Sequence, residues 1–351
     1  MRSFVLAASL LSLALLPSML CVPAFAQDAP SPGAPPPASD APAPLADDSN
    51  VATLNINVNL VNLYFSARDK DGFITNLAKS DCTVAEDKTP QTIKNFTQEK
   101  NLPLTIGILL DTSGSQMNVL PLEQQSGATF LRDVLTPKDE AFLISFDINV
   151  DLLADYTNRA SDIARALNKA SINTGAGTGS ITGNGDPRGT LLYDAVFLAA
   201  NEKLRQEAGR KIIVMLTDGG DQGSQETLKT ATEAAQKANA IVYVILIADR
   251  QFYSGGGFGI NLADSGARDM EKLTSDTGGR VINVGHDGRK LEDAFRQIQD
   301  ELRTQYLLSY TPTNDKADGT FRKISLSCGK SLRIQTRNGY YAISAADAAT
   351  N

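Results

Sequence analysis

The chain has 351 residues, 42% of them apolar, enough to bury a large core. Its 33 Lys and Arg stand against 40 Asp and Glu, a formal charge of -7, which argues against nucleic acid, whose phosphates need basic stripes. The one histidine, His286, lies in the turn-like stretch "NVGHDGRK", so Ser-His-Asp and Cys-His schemes and most zinc sites would all have to use it.

Residues 1–26 read as a secretory signal. Arg2 supplies the positive start, Phe4 to Leu16 the apolar stretch, and Ala24-Phe25-Ala26 a small-x-small cleavage site before Gln27. Cys21 follows Leu20, where lipoprotein signals have Gly, Ala or Ser, so soluble export, periplasmic or secreted, is expected; an uncleaved anchor is the alternative. Cleavage leaves Cys82 and Cys328. Two thiols in an oxidising compartment suggest one disulfide, the alternative being two separately buried thiols. Residues 27–50 are Pro, Ala and acidic residues without periodicity, an extended tether that buries no core.

Residues 51–100 form a small β unit. Val51, Leu54, Ile56, Val58, Leu60 and Leu63 are spaced for strands, and "DKDG" is a hairpin turn. From 101 to 304 strands alternate with helices. The strand Leu104 to Leu110 precedes a helix at Pro121 to Leu135, and "EAFLISF" and "VDLLADY" form a close pair of strands. The helical "ASDIARALNKAS" and the Gly-rich stretch 173–189 follow. Next come a helix near Leu191 to Arg205, the strand "KIIVMLT", the helix "SQETLKTATEAAQKAN" and the strand "AIVYVILI". The exposed-looking loop "FYSGGGF", a possible contact surface, leads to the helix "SGARDMEKLTSDTG", the strand "RVINV" and the helix "KLEDAFRQIQDELRTQ". This order implies an α/β fold with a doubly wound, mostly parallel sheet, helices on both faces and ligands beyond the carboxyl ends of its strands. Residues 305–345 return to short strands, expected to pair with 51–100 because neither flank has enough residues for its own core.

The chemistry concentrates in "LLDTSGSQM". Asp111 ends the first central strand, and Ser113 and Ser115 alternate in the following turn, with Gly114 read as letting the backbone bend between them. One carboxylate and two hydroxyls at i, i+2 and i+4 are hard donors for Mg²⁺ or a similar cation. The plain alternative is a serine-capped turn entering a helix. Thr190 in "RGTLLYDA" offers another hydroxyl, and Asp218 in "VMLTDGG" ends another core strand at the same sheet edge. Two carboxylates there repel without a cation. Asp221 stands behind these as a rim carboxylate or a helix-start residue; Asp194 reads as structural and Asp147 as turn chemistry.

"DTSGS", the Thr of "GTLLYDA" and the Asp of "LTDGG" resemble the metal-ion-dependent adhesion site of von Willebrand factor type A (vWA) domains. The resemblance covers roughly Leu104 to Arg303. It implies that Asp111, Ser113, Ser115, Thr190 and Asp218 hold a divalent cation, Mg²⁺ first with Mn²⁺ or Ca²⁺ as alternatives. The flanks are similar to exported bacterial proteins called VWFA-related, first recognised in acidobacteria. Those commonly carry an aromatic residue where Cys82 stands, and a Met where Gln116 stands. A binding module follows, in which the Asp or Glu of a protein partner completes the cation's shell. No catalytic residue is expected. A metal-dependent hydrolase would lack a general base, since His286 lies in another loop and no G-x-S-x-G elbow surrounds Ser113 or Ser115. An envelope scaffold with a vestigial site is the remaining alternative.

Overall fold

The computed structural model describes residues 60–99, 102–173, 189–247 and 259–342. The expected leader (1–26), the tether (27–50), the strand-like residues 51–59, positions 174–188 of the Gly-rich stretch and the loop 251–258 lie outside the described residues.

Period-two patterning produces the first strands, β1 (Val61–Arg68), β2 (Cys82–Glu86), β3 (Thr89–Gln91) and β4 (Ile93–Gln98). In β1, Val61, Leu63, Phe65 and Ala67 point inward. β2 and β3 are joined through Asp87 and Lys88, both at positive φ (47° and 70°), the pairing that a tight two-residue hairpin favours.

The central sheet is built from β5 (Leu104–Asp111), β6 (Glu140–Phe146), β7 (Val150–Thr157), β8 (Arg210–Thr217), β9 (Ala240–Leu246) and β10 (Val281–Asn283). Every residue of β5 is buried, as a strand covered on both faces requires. The spatial order is β10-β9-β8-β5-β6-β7, with only β7 antiparallel to its neighbour. Chain order therefore reverses between β5 and β8, the switch point where doubly wound sheets open a crevice at their carboxyl ends.

Among the described residues six helices cover the faces: α1 (Leu120–Val134), α2 (Ala160–Leu167), α3 (Leu192–Leu198, continued by a π-helical turn Ala199–Leu204), α4 (Leu228–Lys237), α5 (Gly259–Thr277) and α6 (Gly288–Thr304). On one face Ile106, Ile108 and Leu110 of β5 pack with Phe130, Ile163 and Phe295 of α1, α2 and α6. On the other, Leu109 and Phe142 pack with Val196, Ala235 and Met270 of α3, α4 and α5. Gly107 has no side chain because a Cβ there would stand 2.5 Å from the Phe142 ring. Two helix starts differ most from the sequence expectation. α4 starts at Leu228 rather than Ser224, because Thr227 caps it, accepting from Thr230 N–H at 3.2 Å. α5 starts at Gly259, six residues before the expected Ser265. Among the described residues no helix is long and apolar enough to cross a membrane.

The chain closes with β11 (Tyr306–Tyr310), β12 (Phe321–Cys328), β13 (Arg333–Thr336) and β14 (Gly339–Tyr341). β11, β12 and β13 pair antiparallel with the first strands, and β14 with β12, in two sheets, β13-β1-β11-β4 and β14-β12-β2-β3. The two flanks share one apolar cluster, with Leu63, Phe65 and Val84 against Tyr306, Leu308 and Ile324. Cys82 and Cys328 are opposite each other in β2 and β12 and are disulfide-bonded, with Cα atoms 4.0 Å apart, as the cysteine count suggested. Polar contacts anchor the flanks to the central sheet near its amino edge. Arg337 donates to Asn239, just before β9, and to the Asn62 carbonyl at 2.6 and 2.8 Å. Buried Glu301 of α6 accepts from Ser66, Tyr243 and Arg280 at 3.0, 3.0 and 2.9 Å.

Candidate metal centre

Parallel pairing of β5 with β8 sets Leu110 beside Leu216, so the two strands deliver Asp111 and Asp218 to the same carboxyl edge at the switch point. Both are almost wholly buried, at 0% and 3% exposure. The chain leaves β5 through a 3₁₀ turn, Gly114–Gln116. Ser113 N–H donates to Asp111 Oδ1 at 3.0 Å, and the Ser113 and Ser115 hydroxyls lie 3.1 Å apart. Alternation in the turn thus brings one carboxylate and two hydroxyls together. Gly114 is not the reason: its φ is not positive and a Cβ there would meet no atom within 4 Å, so the 3₁₀ geometry alone makes the bend.

Thr217 supplies the other fixed contact to Asp111, donating to Oδ2 at 2.6 Å while accepting from Gly219 N–H at 3.0 Å. Gly219 takes a φ of 87°, and Gly220 N–H donates to Asp218 Oδ1 at 3.1 Å. Thr190 joins through the backbone: it and Gln222 exchange two hydrogen bonds of 2.9 Å, tying its loop to the one after Asp218. The Asp221 carboxylate accepts from Tyr193 N–H at 3.2 Å and the Ser224 hydroxyl at 2.6 Å, bracing the start of α3. Asp194 accepts from the Gln225 and Glu226 N–H groups at 3.1 and 2.8 Å. His286 sits in the turn after β10, three strands across the sheet from β5.

Electrostatics set the character of the site. Burial first, and the Asp218 charge second, push the Asp111 carboxyl up from 3.8 to about 7, against the pull of Ser113 and Thr217. A third carboxylate shares this environment. Glu123 of α1 is 0% exposed, and burial followed by the Asp111 and Asp218 charges drives its carboxyl well above the usual range. The donors that could hold a cation are the oxygens of Asp111, Ser113, Ser115, Thr190 and Asp218, all hard. Among the described residues no three His, Cys, Asp or Glu side chains converge on one point, so such a site would depend on its hydroxyls.

Three contributors escaped the sequence reading. Thr217 is the residue just before Asp218, and its inward position follows only from the β5–β8 register. Asp147, read as turn chemistry, accepts from the Thr112 hydroxyl at 2.7 Å, Asn149 N–H at 3.0 Å and Asn173 Nδ2 at 3.0 Å. Its carbonyl also accepts from Leu191 N–H at 2.8 Å, so it links four segments around the site. Glu123 occupies the buried stripe of α1 with Leu120, Gly127, Phe130 and Val134, a charge at an apolar position that a helical wheel exposes.

No model of a known protein family and no curated protein matches the chain. Solved structures similar to it include the hypothetical protein BatB from Bacteroides thetaiotaomicron, 16% identical over 57% of this chain and 99% of that one, with a TM-score of 0.42. An aerotolerance-related membrane protein from Bacteroides fragilis is 18% identical over 57% and 98%, with a TM-score of 0.42. The vWF domain of the type V pili tip protein Mfa5 from Porphyromonas gingivalis is 12% identical over 57% and 95%, with a TM-score of 0.41. The fold assignment rests on the strand order and helix placement described above.

Proposed function

We propose that this protein is an exported binding module of the vWA kind, resembling the bacterial VWFA-related proteins. In this reading Asp111, Ser113, Ser115, Thr190 and Asp218 hold a divalent cation, Mg²⁺ foremost, and an Asp or Glu of a protein partner completes its shell. One observation carries the reading. Two buried carboxylates, Asp111 and Asp218, meet at the carboxyl ends of adjacent central strands at the switch point, and the largest influences on Asp111 are burial, Asp218, Ser113 and Thr217, none of them a basic side chain. An ionised Asp111 buried beside Asp218 is costly unless a positive charge arrives. A bound cation supplies it and also gives acidic groups on a partner something to meet.

Binding accounts for the arrangement better than turnover does. The Ser113 and Ser115 hydroxyls contact each other, and His286 lies in the turn after the edge strand β10. The Cys82–Cys328 disulfide fits an oxidising compartment, in keeping with the expected leader.

Calorimetric titration of residues 27–351 with Mg²⁺ and Mn²⁺, beside Asp111→Ala and Asp218→Ala, tests the assignment. The wild type is expected to bind one ion per chain and both variants to lose it. A wild type that binds neither ion overturns the reading.

A further inference from the structure

We propose that Glu123, with Gln116, forms an inner wall of the cation site that positions the hydrated ion, so that the partner-free protein holds its cation. This rests on the cation reading above and extends it to residues behind the five oxygens.

The buried stripe of α1 places Glu123 where a helix packed on a sheet ordinarily carries an aliphatic residue. Neither of its carboxylate oxygens has a hydrogen-bond partner. The charges that act on it are Asp111 and Asp218, with no Lys or Arg among them, so its electrostatic neighbours belong to the site. Gln116 closes the turn that carries Ser113 and Ser115. It is 0% exposed, and its amide oxygen and nitrogen are both without a partner. The Ser126 hydroxyl, one turn beyond Glu123, is unpartnered as well.

Folded proteins leave few buried polar groups unsatisfied, because each gives up its water without gaining a partner. Ten such side-chain atoms occur among the described residues, and five of them belong to Gln116, Glu123 and Ser126. That concentration falls in the segment running from the Asp-x-Ser-x-Ser turn into α1 and leaves these oxygens and nitrogens without protein partners. The side chains match what a hydrated cation offers: Glu123 accepts from water, and Gln116 both accepts and donates. Glu123 does not converge with Asp111 and Asp218 on one point, so it acts through the ion's hydration shell and not as a fourth kind of direct ligand.

The test is Mn²⁺ calorimetry on residues 27–351 without any partner, for wild type, Asp111→Ala, Glu123→Gln and Gln116→Met, each with a melting curve before and after Mn²⁺. Glu123→Gln is expected to weaken Mn²⁺ binding about 10- to 100-fold and to shrink the Mn²⁺-induced rise in melting temperature. Its metal-free melting temperature should equal or exceed that of wild type, because the buried Glu123 carboxyl makes no hydrogen bond that the substitution would remove. Gln116→Met, which keeps the volume, should weaken binding about 10-fold and serves if Glu123→Gln does not fold. Wild-type affinity in the folded variants, with binding lost in Asp111→Ala, would overturn this proposal and leave the cation site standing. No binding to the wild type would remove both.

Discussion

The Thr217 hydroxyl donates to Asp111 Oδ2 at 2.6 Å, across the two parallel strands at the centre of the sheet. With Ser113 N–H on Oδ1, both carboxylate oxygens are held in one orientation before any ligand arrives. Thr217→Val keeps the shape and removes the donor. It is expected to lower unfolding free energy by about 1–3 kcal/mol in urea titrations and to weaken Mn²⁺ binding about 10-fold.

Acidity tests the buried carboxylates. Burial, and then the Asp218 charge, push the Asp111 carboxyl of the folded, metal-free protein up from 3.8 to about 7. Between those values the folded state binds more protons than the unfolded chain, so this contribution to stability is fullest at low pH and lost as pH rises towards 7. Glu123, raised by burial and by the same two aspartates, acts with the same sign. Urea midpoints measured without metal should fall more steeply between pH 5 and 7 in wild type than in Asp111→Asn. Mn²⁺ affinity should rise over the same window, since a cation must displace the proton.

The disulfide closes a loop between positions 246 residues apart, linking the two flanks. A Cys82→Ser, Cys328→Ser double variant should lose about 2–5 kcal/mol of stability in denaturant titrations. Ellman titration of denatured, unreduced residues 27–351 should find no free thiol.

Asp147 gathers Thr112, Asn149 and Asn173 on its carboxylate and Leu191 on its carbonyl. Asp147→Ala frees three donors at once. Chemical denaturation should register a loss of about 2–4 kcal/mol, drawing on roughly 1 kcal/mol per lost bond and the cost of stranded donors. Cation affinity should fall with it, because Thr112, the neighbour of Asp111, loses its carboxylate partner.

What the sequence shows and what it hides divide along physical lines. Short apolar runs such as Leu104 to Leu110, alternating with helical patterns and bounded by turn residues, read as strands covered on both faces, so a doubly wound sheet was legible, as was the delivery of Asp111 and Asp218 to its carboxyl edge. The Cys82–Cys328 bond was legible from counting. Glu123 was not, because a charged residue is read by default as solvent-facing, and only its place among Leu120, Gly127 and Phe130 shows otherwise. Thr217 and Asp147 act through contacts to residues 106 and 35 positions away, which no local pattern encodes. Gly114 misled in the other direction: glycine suggested a special backbone where the turn needs none.

The most direct measurement is an anomalous scattering map from a crystal of residues 27–351 soaked in Mn²⁺. One peak is expected beyond the carboxyl ends of β5 and β8, in coordination contact with oxygens of Asp111, Ser113, Ser115, Thr190 and Asp218, some directly and some through water, at about 2.0–2.6 Å for direct ligands. A saturating soak with no peak there, or with the ion bound elsewhere, would contradict it.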